Sequence, residues 1–132
     1  MKKVLLISVM LLSFVGIAMA QQQNGAEIKF DEVTHNFGEF PDTTPVQECT
    51  FTFTNVGNAP LVINQVIAGC GCTTTSYTKE PIMPGKKGTI SVKYNGTGKF
   101  AGHFKKGITV RTNGVPELVR LYIEGVMTET TK

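Results

Sequence analysis

The chain contains no tryptophan, only two histidines and only three cysteines among its 132 residues. Without tryptophan it cannot build the core of antibody domains, in which a buried tryptophan packs against the disulfide. Beyond residue 20 the only serines are Ser76 and Ser91, and neither lies in a Gly-x-Ser-x-Gly turn. No second pair of Cys or His residues has the spacing of a four-ligand zinc site. These absences argue against a conventional enzyme.

The first twenty residues have the pattern of a secretory signal peptide. Two lysines precede an apolar run over residues 4–18, and Ala18-Met19-Ala20 is a small-x-small cleavage site before Gln21. The run is too short for a transmembrane helix, and no second run of membrane length follows. We therefore predict cleavage between Ala20 and Gln21, a mature chain of residues 21–132 without a transmembrane segment, and a periplasmic or secreted location.

Charge is distributed unevenly along the mature chain. Residues 21–78 carry one lysine and six acidic residues, a net charge of −5, whereas residues 79–120 carry nine Lys/Arg and two Glu, a net charge of +7. Because the two segments nearly cancel, the balance does not predict a nucleic-acid partner. The asymmetry indicates two faces that attract each other after folding. The alternative is a basic docking strip for an acidic partner or an anionic envelope lipid.

Alternating apolar and polar residues recur along the mature chain, and helical periodicity is absent. About seven short strands joined by Gly, Pro and Asn turns predict an all-β, immunoglobulin-like β-sandwich in a single domain with its core over residues 27–126. A small closed barrel is the alternative. The residues expected to face inward are Cys49, Phe51, Phe53, Ile90, Val92, Tyr94, Ile108, Val110, Val119, Leu121 and Ile123.

Three further strand assignments bear on the organisation of the domain. Residues 27–40 predict one irregular edge strand that is interrupted at Gly38. Residues 61–68 are more apolar and predict a central strand, which follows the 46–55 strand after a turn at residues 57–60. Asn113-Gly114 predicts a hairpin between the last two strands.

Several segments together resemble one family. The sequence TNVGNAPLVI of residues 54–63 is similar to the TNxGxxPLxI segment of the family called domain of unknown function 1573. Residues 70–73 match its CGCT signature, and residues 82–92 match its I-x-P-G-x-x-G-x-I-x-V segment. The resemblance covers residues 27–126 and implies the Hydin/ASPM-like branch of immunoglobulin folds. Members are mostly exported bacterial proteins, common in Bacteroidetes, and the resemblance implies no established reaction.

The loop Gly69-Cys70-Gly71-Cys72-Thr73 is the place in the sequence where chemistry would concentrate. Its structural interpretation is a disulfide or a packed loop. An extended segment holds Cys70 and Cys72 about 6.5–7 Å apart, so a bond between them needs a bend at Gly71. If residues 57–60 form a hairpin turn, Cys49 comes close enough to bond Cys70 or Cys72 instead. Cys49 also fits a small core residue.

The same thiols suit two chemical functions. Two thiolates favour Cu(I), and a histidine would add a ligand, so Cys70, Cys72 and His103 form a candidate copper site, with His35 as the other histidine. A thiol–disulfide redox role is the second, although the loop lacks the helix N-terminus that lowers a thiol pKa in C-x-x-C motifs. Both histidines, being single residues near strand ends, also fit ordinary surface roles.

The segment Asp42-Thr43-Thr44 resembles the acceptor site of Bacteroidetes periplasmic O-glycosylation. It lies in a predicted exposed turn, so Thr43 is a candidate for glycosylation, and an ordinary polar turn is the alternative.

Taken together, export and a sandwich pattern without a catalytic constellation favour a non-enzymatic, immunoglobulin-like module of the bacterial cell envelope. Its expected role is structural or protein-binding, its expected partner is another envelope or secreted protein, and no resident cofactor is expected. The alternative function is copper binding or thiol redox chemistry at the Cys-Gly-Cys loop.

Overall fold

Two four-stranded β-sheets pack face to face as a sandwich in this computed structural model, which describes residues 25–130. The first sheet has the strand order β1-β3-β6-β5, and the second has the order β2-β8-β7-β4. The strands are β1 (Ile28–Phe30), β2 (Thr34–Pro41), β3 (Val46–Asn55), β4 (Ile63–Ala68), β5 (Thr73–Tyr77), β6 (Lys87–Asn95), β7 (Gly102–Thr112) and β8 (Leu118–Thr128). The predicted immunoglobulin-like sandwich is confirmed, with one strand more than expected.

The predicted cleavage site at Ala20 and Gln21 lies outside the described residues. Within residues 25–130, no helix is long and apolar enough to cross a membrane.

Alternation along each strand places the hydrophobic core between the two sheets. Along β6, for example, Gly88, Ile90, Val92 and Tyr94 are buried, and the residues between them are exposed. Of the residues predicted to face inward, all are buried except Cys49 and Val119, which are partly buried and pack against the core. Each fully buried large apolar side chain contributes roughly 1.5–3 kcal/mol to folding.

Residues 27–40 form two strands on different sheets, so the prediction of one irregular edge strand is wrong. β1 pairs with β3 in the first sheet, whereas β2 pairs in parallel with β8 in the second. The interruption at Gly38 is confirmed, because a bulge separates Asn36 from Glu39 there and Gly38 has a φ of 71°. Glycine adopts this left-handed conformation without the strain that a Cβ atom would cause.

The prediction of a central strand over residues 61–68 is also wrong, because β4 is an edge of the second sheet. Leu61 is buried but precedes the strand, where it forms an isolated bridge to Ile82. Ile67 lies inside the strand and is exposed. The turn at residues 57–60 carries the chain from the first sheet to the second, so β3 and β4 form no hairpin.

One end of the sandwich is closed by a hydrogen-bond network around Asn55, which is fully buried. Its side-chain nitrogen donates to the carbonyl oxygens of Ala59 at 2.7 Å and Ile82 at 2.8 Å. Its side-chain oxygen accepts from the backbone N–H of Gly57 at 3.0 Å and of Glu27 at 3.3 Å. The predicted hairpin between β7 and β8 is confirmed and turns at this same end, over residues 113–117.

Candidate functional site: the loop end of the sandwich

Three loops gather at the opposite end of the sandwich, which we call the loop end. They are the β2–β3 turn (residues 42–45), the β4–β5 loop (residues 69–72) and the β6–β7 loop (residues 96–101). The strand directions require this grouping, because β2, β4 and β6 end there and β3, β5 and β7 begin there. The loop end therefore brings together the Cys-Gly-Cys segment, the Asp-Thr-Thr segment and a glycine-rich loop.

Backbone hydrogen bonds tie the three loops to one another. The N–H of Asn95 donates to the carbonyl oxygen of Cys72 at 2.8 Å, and the N–H of Gly96 donates to that of Pro45 at 2.9 Å. The N–H of Asp42 donates to the carbonyl oxygen of Thr128, the last residue of β8, at 2.9 Å. Each bond joins segments that are distant in sequence, so the loops form one continuous surface.

Aromatic rings form the base beneath this surface. Tyr94 and Phe104 stack with ring centroids 4.1 Å apart and an interplanar angle of 9°. Phe40 meets Phe104 edge to face at 5.9 Å. Burial raises the pKa of the Tyr94 hydroxyl, because desolvation penalises the phenolate. These contacts give the loops a packed support.

The Cys-Gly-Cys segment closes on itself. Cys70 and Cys72 form a disulfide with their Cα atoms 5.2 Å apart, shorter than an extended segment allows, so the chain bends at the exposed Gly71. The N–H of Thr73 donates to the carbonyl oxygen of Cys70 at 3.1 Å and closes the turn. Both cysteines are half-buried, and Cys72 packs against the hydrophobic core.

Cys49 is a free thiol and takes no part in the loop. It lies on β3 opposite Val92 of β6, which in turn lies opposite Thr75 of β5. Thr75 is therefore two strand spacings, about 9.6 Å, from Cys49 across the sheet. Cys72 lies three residues before Thr75, which adds about 10 Å along the strand direction. The alternatives of a Cys49–Cys70 or Cys49–Cys72 bond are therefore not realised, because the hairpin on which they depended does not exist.

The environment of Cys49 also lowers its reactivity. Burial raises the pKa of this thiol to about 11, since a thiolate is poorly solvated against the core. At neutral pH the thiol stays protonated and behaves as a small apolar side chain that packs against the core.

The candidate copper ligands are not gathered into one site. Within residues 25–130, no group of three or more His, Cys, Asp or Glu side chains is arranged to hold a metal ion, so Cys70, Cys72 and His103 do not form such a group. His103 is exposed near the start of β7. His35 packs edge-on against Phe37 on β2, with ring centroids 4.8 Å apart.

Thr43 lies at the exposed tip of the β2–β3 turn. The turn is closed by a hydrogen bond from the N–H of Thr44 to the carbonyl oxygen of Pro41 at 3.0 Å, and the Asp42 carboxylate accepts from Thr130. The side chain of Thr43 is therefore accessible to a modifying enzyme, and its glycosylation stays a prediction.

Phe100 is the residue of the loop end that sequence reasoning missed. It lies in the β6–β7 loop and is 99% exposed, next to the exposed Lys99. The loop bends at Gly98 and Gly102, which have φ values of 75° and 137°, conformations that favour glycine. Its signal in the sequence is an aromatic residue between glycines and outside any alternating pattern. Phenylalanine is among the residues most often buried, so full exposure of this ring is uncommon.

Close ion pairs contribute little to the expected attraction between the acidic and basic segments. Within the described part of the chain, one salt bridge forms, between Lys93 Nζ and Glu48 Oε1 at 2.9 Å. Both side chains are more than half exposed, so the pair contributes at most about 1 kcal/mol.

The disulfide and the buried thiol make a direct prediction for the native protein. We expect thiol counting to find one free thiol before reduction and three after it, with Cys70 and Cys72 in one bridged peptide. Because the pKa of Cys49 is about 11, its rate of alkylation should keep rising roughly tenfold per pH unit up to about pH 11. A plateau near pH 9, or three free thiols without reductant, would contradict this arrangement.

The two packed sheets and their strand order define an immunoglobulin-like β-sandwich. The chain belongs to the family described as "Protein of unknown function (DUF1573)", whose model matches residues 28–127. No curated protein matches the sequence.

Solved structures with the same fold come from bacteria and from humans. A protein of unknown function from Porphyromonas gingivalis W83 is similar with a TM-score of 0.65 and 16% identity; the match covers 83% of this chain and half of that one. The ASH/PapD-like domain 7 of human CEP192 is similar with a TM-score of 0.62 and 10% identity over 81% of this chain and 89% of that one. The YadV chaperone is similar with a TM-score of 0.52 and 14% identity, and the match covers 79% of this chain and 52% of that one. At these identities the likeness is one of fold.

Proposed function

We propose that this chain is a non-enzymatic binding module of the bacterial cell envelope, located in the periplasm or outside the cell, and that its loop end holds another envelope protein. The observation that carries the proposal is the fully exposed ring of Phe100 on a loop that hydrogen bonds tie to its neighbours. Aromatic side chains dominate the free energy of protein interfaces when they enter a partner pocket. The secretion signal predicted from the sequence supports the location.

The fixed geometry of the loop end supports binding rather than turnover. The stacked pair of Tyr94 and Phe104 lies beneath the loops, and the disulfide at Cys70 restricts the neighbouring β4–β5 loop. A surface that is ordered before binding loses less conformational entropy on association. One of the structures of similar fold, YadV, is named a chaperone, a class of protein that binds other proteins, and this is consistent with a binding role.

Replacing Phe100 with alanine is expected to weaken capture of the partner about thirtyfold, the loss of about 2 kcal/mol typical of an aromatic hot spot. The measurement is quantitative pull-down from native envelopes with the mature protein as bait, followed by titration against the captured partner. Leu118→Ala is the matched control, because Leu118 is 51% exposed at the opposite end of the sandwich. Both variants should unfold at the wild-type temperature. Absence of a reproducible partner, or equal capture by both variants, would remove the proposal.

The second candidate function is soft-metal binding or thiol redox chemistry at Cys70 and Cys72. It is favoured by the direct bond between the two sulfurs on either side of the exposed Gly71, since reduction by two electrons and two protons would release two adjacent thiols. Titration of the reduced protein with Cu(I) tests it, with Cys49→Ser as the variant that should retain binding and Cys70→Ser as the one that should lose it.

A further inference from the structure

The two lateral sides of the sandwich differ in how their sheet edges are protected. On one side, β1 is only three residues long and contains Lys29. β2, on the same side, has a bulge at Gly38 and also contains the charged Glu39 and the terminal Pro41. Short length, charge, bulges and proline all hinder the pairing of another strand with an edge. On the other side, neither β4 nor β5 contains a charged residue or a proline.

Of the two unprotected edges, β5 is the more regular. The pairing of β4 with β7 shifts register between Ile63 and Gln65, and such an irregularity twists an edge away from a flat ladder. The pairing of β5 with β6 runs from Thr73 to Tyr77 without a shift. β5 therefore presents the better template for an added strand.

The hydrogen-bond pattern shows which groups of β5 face the free edge. The N–H of Asn95 donates to the carbonyl oxygen of Cys72, and the N–H of Thr78 donates to that of Thr89, so even-numbered residues of this segment bond to β6. In an antiparallel ladder the intervening residues point their N–H and C=O groups the other way. The backbone groups of Thr75 and Tyr77 therefore face the free edge, and no hydrogen bond joins them to β4.

The side chains along this edge define what a guest strand must carry. Thr74 and Ser76 are exposed on the outer face of the sheet, whereas Thr75 and Tyr77 are partly buried toward the core. Just beyond the strand, Lys79 Nζ lies 3.8 Å from the ring centroid of Tyr77 and forms no salt bridge among the described residues. A matching guest has hydroxyl residues outward, apolar residues inward and a carboxylate beside Lys79.

We propose that β5 accepts an extended segment of a partner protein as a fifth strand of the first sheet, with an acidic residue of that segment placed beside Lys79. This inference deepens the proposed function and rests on it. A second copy of the chain is a poorer occupant. If two β5 strands paired around Thr75, residue 79 would lie opposite Gly71 of the other copy, which supplies no carboxylate.

The probe is the capped synthetic peptide Glu-Thr-Val-Thr-Val-Thr-Glu, which reads the same in both strand directions and places its valines opposite Thr75 and Tyr77 and one glutamate opposite Lys79. Amide hydrogen exchange of the mature protein is measured by NMR with and without the peptide. We expect exchange at Thr75 and Tyr77 to slow at least about tenfold at saturation, because their N–H groups gain acceptors, while Thr74 and Ser76 stay unchanged. The same peptide with terminal lysines should bind about fivefold more weakly.

Thr75→Pro removes an N–H that faces the free edge and leaves the bonds to β6 intact, so this variant should fold and lose peptide binding. Thr75→Val keeps the N–H and should bind like the wild type. The inference would be overturned if Thr75→Pro bound the peptide as well as the wild type, or if the peptide gave no protection at Thr75 and Tyr77. It would also be overturned if protection rose with protein concentration in the absence of peptide, because the edge would then belong to a second copy. Capture of a partner that depends on Phe100 would survive those results, so the proposed function is tested separately.

Discussion

Replacing Asn55 with alanine is expected to lower the free energy of unfolding by about 3 kcal/mol. Asn55 is fully buried, and its amide satisfies four backbone groups from three separate segments of the chain. Without it, four hydrogen bonds are lost together, each worth about 0.5–1.5 kcal/mol net, although the carbonyl oxygen of the buried Ile82 keeps the N–H of Leu61 as a donor at 2.8 Å. Groups nearer the surface, such as the N–H of Gly57, regain water.

The measurement is equilibrium unfolding in urea, in which the loss of stability appears as a lower midpoint urea concentration at an unchanged dependence of the unfolding free energy on urea. Asn113→Ala is the matched control. The side chain of Asn113 likewise bridges two backbone groups, the N–H of Val62 at 2.8 Å and the carbonyl oxygen of Pro60 at 3.1 Å, but in exposed positions. We expect the control to cost about 1 kcal/mol or less. Similar losses in the two variants would mean that burial of Asn55 does not set the cost.

The same network explains the residue types at three positions of the TNxGxxPLxI segment. Asn55 supplies the amide, and Gly57 leaves room for the N-terminal segment, because a Cβ atom on Gly57 would lie 2.3 Å from the carbonyl oxygen of Gly25. Leu61 then enters the core beside Ile82. The motif therefore secures the end of the sandwich opposite the loops, and its chemistry is structural.

The sequence predicted most of the core and little of the sheet assignment. Alternation is a local property, so the inward side of Ile90 and Val92 or of Leu121 and Ile123 follows from the strand period alone. Whether the turn at residues 57–60 makes a hairpin or crosses between sheets depends on packing far along the chain. That choice decided both the edge position of β4 and the distance of Cys49 from the Cys-Gly-Cys loop.

The candidate site was predictable in part. The position of the Cys-Gly-Cys segment in a loop follows from its glycines, and the exposed turn at Thr43 follows from its polar residues. Their proximity to Phe100 depends on three strand directions, which no single segment encodes. An exposed phenylalanine breaks the general burial of aromatic residues, so sequence patterns assign it to the core unless the loop glycines are weighed.

Replacing Gly88 with alanine is expected to lower the free energy of unfolding by about 3 kcal/mol. A Cβ atom at this position would lie 2.5 Å from Cζ of Phe53 and 2.9 Å from Cδ1 of Ile82. Phe53 is fully buried between the sheets, and the backbone of Gly88 is held in β6 opposite Phe53 by the ladder to β3. Neither partner has space to move, so the added methyl overpacks the core.

A double-mutant cycle separates this clash from other effects of the substitution. Phe53→Leu removes the ring that the Cβ atom meets, so Gly88→Ala should cost about 1–2 kcal/mol less in that background than in the wild type. Gly71→Ala is the matched control, since a Cβ atom there meets nothing within 4 Å, and its effect should stay within about 0.5 kcal/mol. Equal costs of Gly88→Ala in both backgrounds would show that the Phe53 ring does not set the requirement for glycine. The smaller cost in the Phe53→Leu background would explain the glycine at position 88 as the space that the central phenylalanine of the core requires.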